Sequence, residues 1–77
     1  MTLRIGMLVK LDLRGYSNQQ SYLSYSSREL NTSEREISKN EIGILVRIMY
    51  DLEALVLFGD KLEVVSACAI QGLNGEV

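Results

Sequence analysis

From residue 42 onward the chain alternates. Ile42, Ile44, Val46, Ile48 and Tyr50 fall on one parity, with Gly43, Leu45, Arg47 and Met49 on the other. A period of two is the pattern of a strand with one buried face. Asp51-Leu52-Glu53 interrupts the run, and Ala54-Leu55-Val56-Leu57-Phe58 begins a second one, closed by the turn signal Gly59-Asp60-Lys61. Leu62-Glu63-Val64-Val65-Ser66 is a third run. The same stretch also offers Leu45, Ile48, Met49, Leu52, Leu55 and Val56 at helical spacing. Residue type decides between the two: Ile, Val, Tyr and Phe dominate, and Gly43 would cost a helix about 1 kcal/mol against Ala. We read strands, with the Ile42–Tyr50 parity as the core face. That reading leaves Leu8, Leu45, Met49, Leu55 and Leu57 on the opposite face, more apolar surface than one small domain hides.

An earlier strand precedes them. Ile5, Met7, Val9 and Leu11 alternate with Arg4, Gly6, Leu8 and Lys10. Lys10 and Asp12 break the apolar run too early for a signal peptide, and no segment reaches the 18–20 apolar residues of a membrane span. Residues 12–41 differ in character: Ser, Thr, Asn and Gln fill thirteen of thirty positions, with no sustained period, so they read as one long polar loop. Within it, Ser21–Ser27 reads as a short extended piece and 31–36 as the start of one helical turn.

With 77 residues the chain holds a single domain, 1–77, and short strands on tight turns make it an all-β one. It has no His and no Pro, and its one cysteine, Cys68, lies between Ala67 and Ala69 and reads as a small core residue. One cysteine and no histidine leave no metal site to argue, and no cofactor. The isolated glycines make no phosphate loop and read as turn or bulge positions. No pattern points to a buried acid, Glu34 and Glu36 read as solvent-facing, and so small a chain leaves little room for a pocket. We therefore expect no enzyme and no small-molecule substrate. Seven of the eight Lys/Arg lie in residues 1–47 against five acids, and the net charge is −2. This is a weak polarity, short of a nucleic-acid-binding cluster.

The opening strand Ile5-Gly6-Met7-Leu8-Val9-Lys10-Leu11, the strand Glu41-Ile42-Gly43-Ile44-Leu45-Val46-Arg47-Ile48 and the two runs after it resemble the small SH3-like or KOW-like barrels, including short proteins of tailed phages. The resemblance implies a five-stranded SH3-like barrel in which residues 12–41 are a long RT-type loop and Ala67-Cys68-Ala69 is a 3₁₀ turn before the last strand. It departs from signalling SH3 domains in lacking Trp and the aromatic row that grips proline-rich peptides. Two functions are expected, the first from the apolar excess on the strands together with this resemblance, the second from the resemblance and the Lys/Arg of residues 1–47. One is a protein-interaction module, a phage accessory or virion structural protein, either homo-oligomeric or docked on a larger complex, in the host-cell interior or the virion. The other is a KOW-like regulator bound to nucleic acid or a polymerase. Tyr16, Tyr22 and Tyr25, with Arg14 and Arg28, have the composition of a contact surface and are the candidate partner-binding residues. The alternative for the tyrosines is packing of the loop over the barrel.

Overall fold

The computed structural model describes residues 3–13 and 20–73. Along them run β1 (Leu8–Leu11), β2 (Ser21–Leu23), β3 (Glu36–Ser38), β4 (Ile42–Met49), β5 (Glu53–Phe58), β6 (Lys61–Ser66) and β7 (Ile70–Gly72). Single 3₁₀ turns at Tyr50–Leu52 and Ala67–Ala69 join β4 to β5 and β6 to β7. The described residues contain no α-helix, so the alternating pattern at 42–58 wins over the helical one.

Every pairing is antiparallel. One sheet has the order β6-β5-β4-β1-β7, and β2 pairs with β3 apart from it. Among the described residues hydrogen bonds do not close the five strands on themselves. The turn expected at Gly59-Asp60 joins β5 to β6 with Phe58 opposite Lys61. Gly59 takes a φ of 66°, the left-handed conformation that the first central position of a type II′ hairpin turn requires.

Up to Leu45, side-chain direction on β4 is the reverse of the sequence expectation. Gly43 and Leu45 face the core, while Ile42, Ile44, Val46 and Ile48 stay exposed. Two constraints outweigh the apolar preference of the isoleucines. Val9 of β1, fully buried, pairs with Gly43, which commits the Gly43 parity inward. The space there also demands glycine, since a Cβ at Gly43 would lie 2.6 Å from Val56 Cγ1 and 2.9 Å from the Leu57 carbonyl oxygen. Gly43 is thus a close-approach glycine within a strand, neither turn nor bulge. A bulge then follows: Leu45 pairs with Val56 and Arg47 with Leu55, leaving Val46 as the extra residue.

The core side of the sheet carries Val9, Leu11, Leu45, Ala54, Val56, Phe58, Val65 and Ile70. The second layer comes from the segment read as loop. Ile37 of β3 is fully buried in this core, and Tyr22, its partner across β2, packs against it. Beyond the two strands the arm stays paired, through Ser24 N–H to the Arg35 carbonyl at 2.9 Å and the Ser27–Thr32 bridge. Arg28–Asn31 turns at its tip, with Asn31 at a φ of 58°. No helical turn forms at 31–36, because Thr32 and Glu36 are both taken up in strand pairing. Cys68 corrects another expectation: it is exposed, and Ala69 beside it is the buried residue of that 3₁₀ turn.

The orientation of β4 has a direct test by equilibrium denaturation. Leu45→Ala should cost about 2–5 kcal/mol as a cavity in the core, and Ile44→Ala under about 1 kcal/mol. The opposite ranking would restore the orientation expected from sequence.

Candidate interaction surface

Antiparallel partners share a face of the sheet. Glu63 pairs with core-facing Val56, so its carboxylate points into the covered side, where the residue is only 3% exposed. A carboxylate buried alone would be costly, and here both oxygens are occupied. Ser24 Oγ donates to Oε1 at 2.9 Å, and Arg35 Nε donates to Oε2 at 2.6 Å. Ser24, itself buried, also accepts from the Arg35 backbone N–H at 2.9 Å. Arg35 reaches on to Glu41, with Nη2 to Oε1 at 3.2 Å and Nη1 to Oε2 at 3.4 Å. Glu41 in turn accepts from the Ser38 N–H at 3.2 Å. This network ties both limbs of the 20–39 arm to β6. Sequence reading missed it, because Glu63 stands in an ordinary strand pattern and its partners are 28 and 39 positions away.

The arm also latches onto the sheet edge. Tyr25 N–H donates to the Val64 carbonyl at 2.8 Å, and Tyr22 OH accepts from Ser66 N–H at 3.0 Å. The Tyr22 and Tyr25 rings lie 6.4 Å apart and tilted. Of the residues proposed from sequence, Tyr22 therefore packs the arm down, the alternative weighed for the tyrosines. Tyr25 stays partly exposed at the edge of β6 and Arg28 is exposed at the arm's tip. Arg14 and Tyr16 lie outside the described residues.

Following pairs across the outer face yields two rows. One is Tyr25–Val64–Leu55–Arg47, in which Val64 and Leu55 are buried. The other is Leu8–Ile44–Leu57–Leu62, across β1, β4, β5 and β6. In this second row Leu8, Ile44 and Leu62 are each about 42–43% exposed, with Ile42 beside Ile44 at 55%. The apolar excess expected outside the core is present, but its members differ. Leu8 and Leu57 belong to it, Leu55 lies on that face but is buried, Met49 is half-buried, Leu45 faces the core, and β4 contributes Ile42 and Ile44.

The far end of β4 adds a second apolar feature. Tyr50 is 91% exposed and Leu52 67% exposed, within the three-residue connection to β5. Leu52 sits at a φ of 61°, which costs a residue with a Cβ about 1–2 kcal/mol. Strain of this kind gathers at functional positions. Beside it, Glu29, Leu30, Arg47, Ile48, Met49 and Tyr50 line an open cleft of about 480 Å³. A second open cleft of about 460 Å³ carries Lys10, Lys39, Asp12, Asn40 and Gln71. Both are open surface concavities bordered by residues of the arm and of the sheet. Glu34 and Glu36 are exposed, as expected. No group of three metal-ligating side chains occurs among the described residues, and no helix among them is long and apolar enough to cross a membrane.

Compared with known proteins, the chain matches no protein-family model, no curated protein and no solved structure.

The electrostatics of the arm predict an acid response. The Arg35 guanidinium, hydrogen-bonded to Glu41, holds that carboxyl below its ordinary value of 4.5, outweighing the opposing effect of partial burial. A carboxyl lowered on folding stabilises the fold above its unfolded pKa, and that contribution is lost as pH falls through the lower folded value. Stability measured against pH should therefore drop below about pH 4.5, and Glu41→Gln should flatten part of that slope. An unchanged slope would mean the Arg35–Glu41 contact contributes nothing.

Proposed function

We propose that this protein is a non-enzymatic protein-interaction module, a phage accessory or virion structural protein that docks on or assembles into a larger complex. The observation that carries the reading is the amount of apolar surface left uncovered along β4 and at its hairpin end, from Ile42 to Leu52. Exposed apolar surface in this amount marks contact sites on small proteins. The anchor is the Tyr50–Leu52 connection, where an exposed aromatic ring lining a cleft of mixed polarity stands two residues from an exposed leucine at positive φ. Exposed aromatic anchors of this type concentrate binding energy.

The SH3-like barrel belongs to the same proposal. Its support is the order of parts: an opening strand, a long excursion, three strands on tight turns, a 3₁₀ turn and a last strand beside the first. The phage setting, in the host-cell interior or the virion, comes from the sequence resemblance. A KOW-like regulator is the second reading, favoured by Lys10 and Lys39 lining one cleft. Asp12 in that cleft and the net charge of −2 oppose it.

Velocity sedimentation of extracts containing the tagged chain separates these readings. The interaction module should travel in fractions well above a dimer's mass, survive nuclease treatment, and return to low mass when Tyr50→Ser and Leu52→Ser are combined. Release by nuclease would favour the KOW-like reading. A wild-type chain found only in low-mass fractions would contradict docking on a larger complex.

A further inference from the structure

The outer face of the sheet is half covered by the protein itself. In the Tyr25–Val64–Leu55–Arg47 row the two central members, Val64 and Leu55, are buried, with Tyr25 and Arg47 exposed at its ends. The adjacent row, Leu8–Ile44–Leu57–Leu62, is covered by no described part of the chain to the same degree, since three of its four members stay exposed. Ile42 and Val46 extend it along β4. We infer that this open face is the contact between two copies of the chain, packed sheet against sheet.

The inference rests on the interaction-module reading and names one of its partners, leaving the Tyr50–Leu52 end free for the other. Three observations select a second copy. The first is shape. The row is a line of leucines and an isoleucine across four strands, about 14 Å at the usual strand spacing, with no aromatic ring among its members. Such a row accepts an identical row across a twofold axis, at the spacing of stacked sheets. An aromatic or charged partner segment would find neither a pocket nor a counter-charge along it.

The second observation is charge. Lys10, opposite Ile42, borders the open rows, and no acid lies in them. A net charge of −2 on each copy leaves little long-range repulsion to keep two copies apart.

The third is area. A stable interface covers about 800 Å² on each partner, roughly a seventh of this chain's 5305 Å². Leu8, Ile42, Ile44, Val46 and Leu62, each 37–55% exposed, with half-buried Leu57, supply the apolar part of such an area, which in a typical interface is a little over half of the whole. The main apolar core meanwhile occupies the other side of the sheet, so dimerisation would extend the small buried pair of Val64 and Leu55 into a second apolar layer.

Sedimentation equilibrium of the purified chain tests this. At about 100 μM the wild type should show twice its 8.7 kDa mass, with a dissociation constant near the micromolar range. Ile44→Lys and, independently, Leu62→Lys should each weaken the dimer by about 100-fold or more, because a charge would be buried without a partner. Tyr50→Ser should leave it intact. Cooperative thermal unfolding of each variant establishes that it is folded, and either lysine variant suffices. A monomeric wild type, or a dimer that survives both lysine substitutions, overturns the inference. Those results leave the extract experiment untouched, so a monomer that still travels in large fractions separates failure of the second copy from failure of the interaction reading.

Discussion

Everything on the covered side of the sheet is organised around one buried carboxylate. Glu63 occupies a core-facing position of β6 beside Val56, where an aliphatic residue would ordinarily stand. Desolvating a charge there is tolerable only with hydrogen-bonding partners on both oxygens. Ser24 and Arg35 supply them, and they lie on opposite limbs of the 20–39 arm. The arm therefore has one seating: Ile37 enters the core, Tyr22 reaches Ser66, and Tyr25 pairs with Val64. Polar pairing in this instance selects a geometry more than it adds stability, since the Arg35–Glu41 end is partly exposed and such contacts contribute about 1 kcal/mol or less.

That seating also determines what is left open. With the arm drawn onto the core side and the β6 edge, the rest of the outer face is bounded by Tyr25 at one side and the free row of Leu8, Ile44, Leu57 and Leu62 at the other. The bulge at Val46 sharpens the contrast. It turns Arg47 toward the covered row while Ile42 and Ile44 remain on the open one. The apolar residues available for contact on β4 are thus a consequence of the register at Gly43 and of the bulge that follows it.

Much of the sheet was legible in the sequence because strand periodicity and turn chemistry are local. The runs at 42–50, 54–58 and 62–66 and the Gly59-Asp60 turn fall where residue type placed them, and the 3₁₀ turn at Ala67–Ala69 falls where the resemblance put it; the strand expected from residue 5 begins only at Leu8, because Ile5-Gly6 forms a turn with Gly6 at a φ of 95°. Orientation was not legible, because hydrophobicity favours an inward Ile42 and Ile44 while register with Val9 and the space at Gly43 require the reverse. The arm was hidden for a different reason. Its strands are three residues long, and its stability comes from contacts to Glu63, Val64 and Ser66, far along the chain. The candidate surface was half legible: an apolar excess was apparent, but its members were assigned by the wrong parity on β4. Cys68 misled through its alanine neighbours, of which only Ala69 faces the core.

Native-state amide hydrogen exchange on the wild type and on Glu63→Ala is the most direct test of the central claim. The Ser24 and Arg35 amides, bonded to the Arg35 carbonyl and to Ser24 Oγ, should be protected in the wild type nearly as well as β5. In Glu63→Ala their protection should collapse while that of β4 and β5 persists. Fast exchange at both amides in the wild type, or equal protection in the variant, would contradict the role given to Glu63.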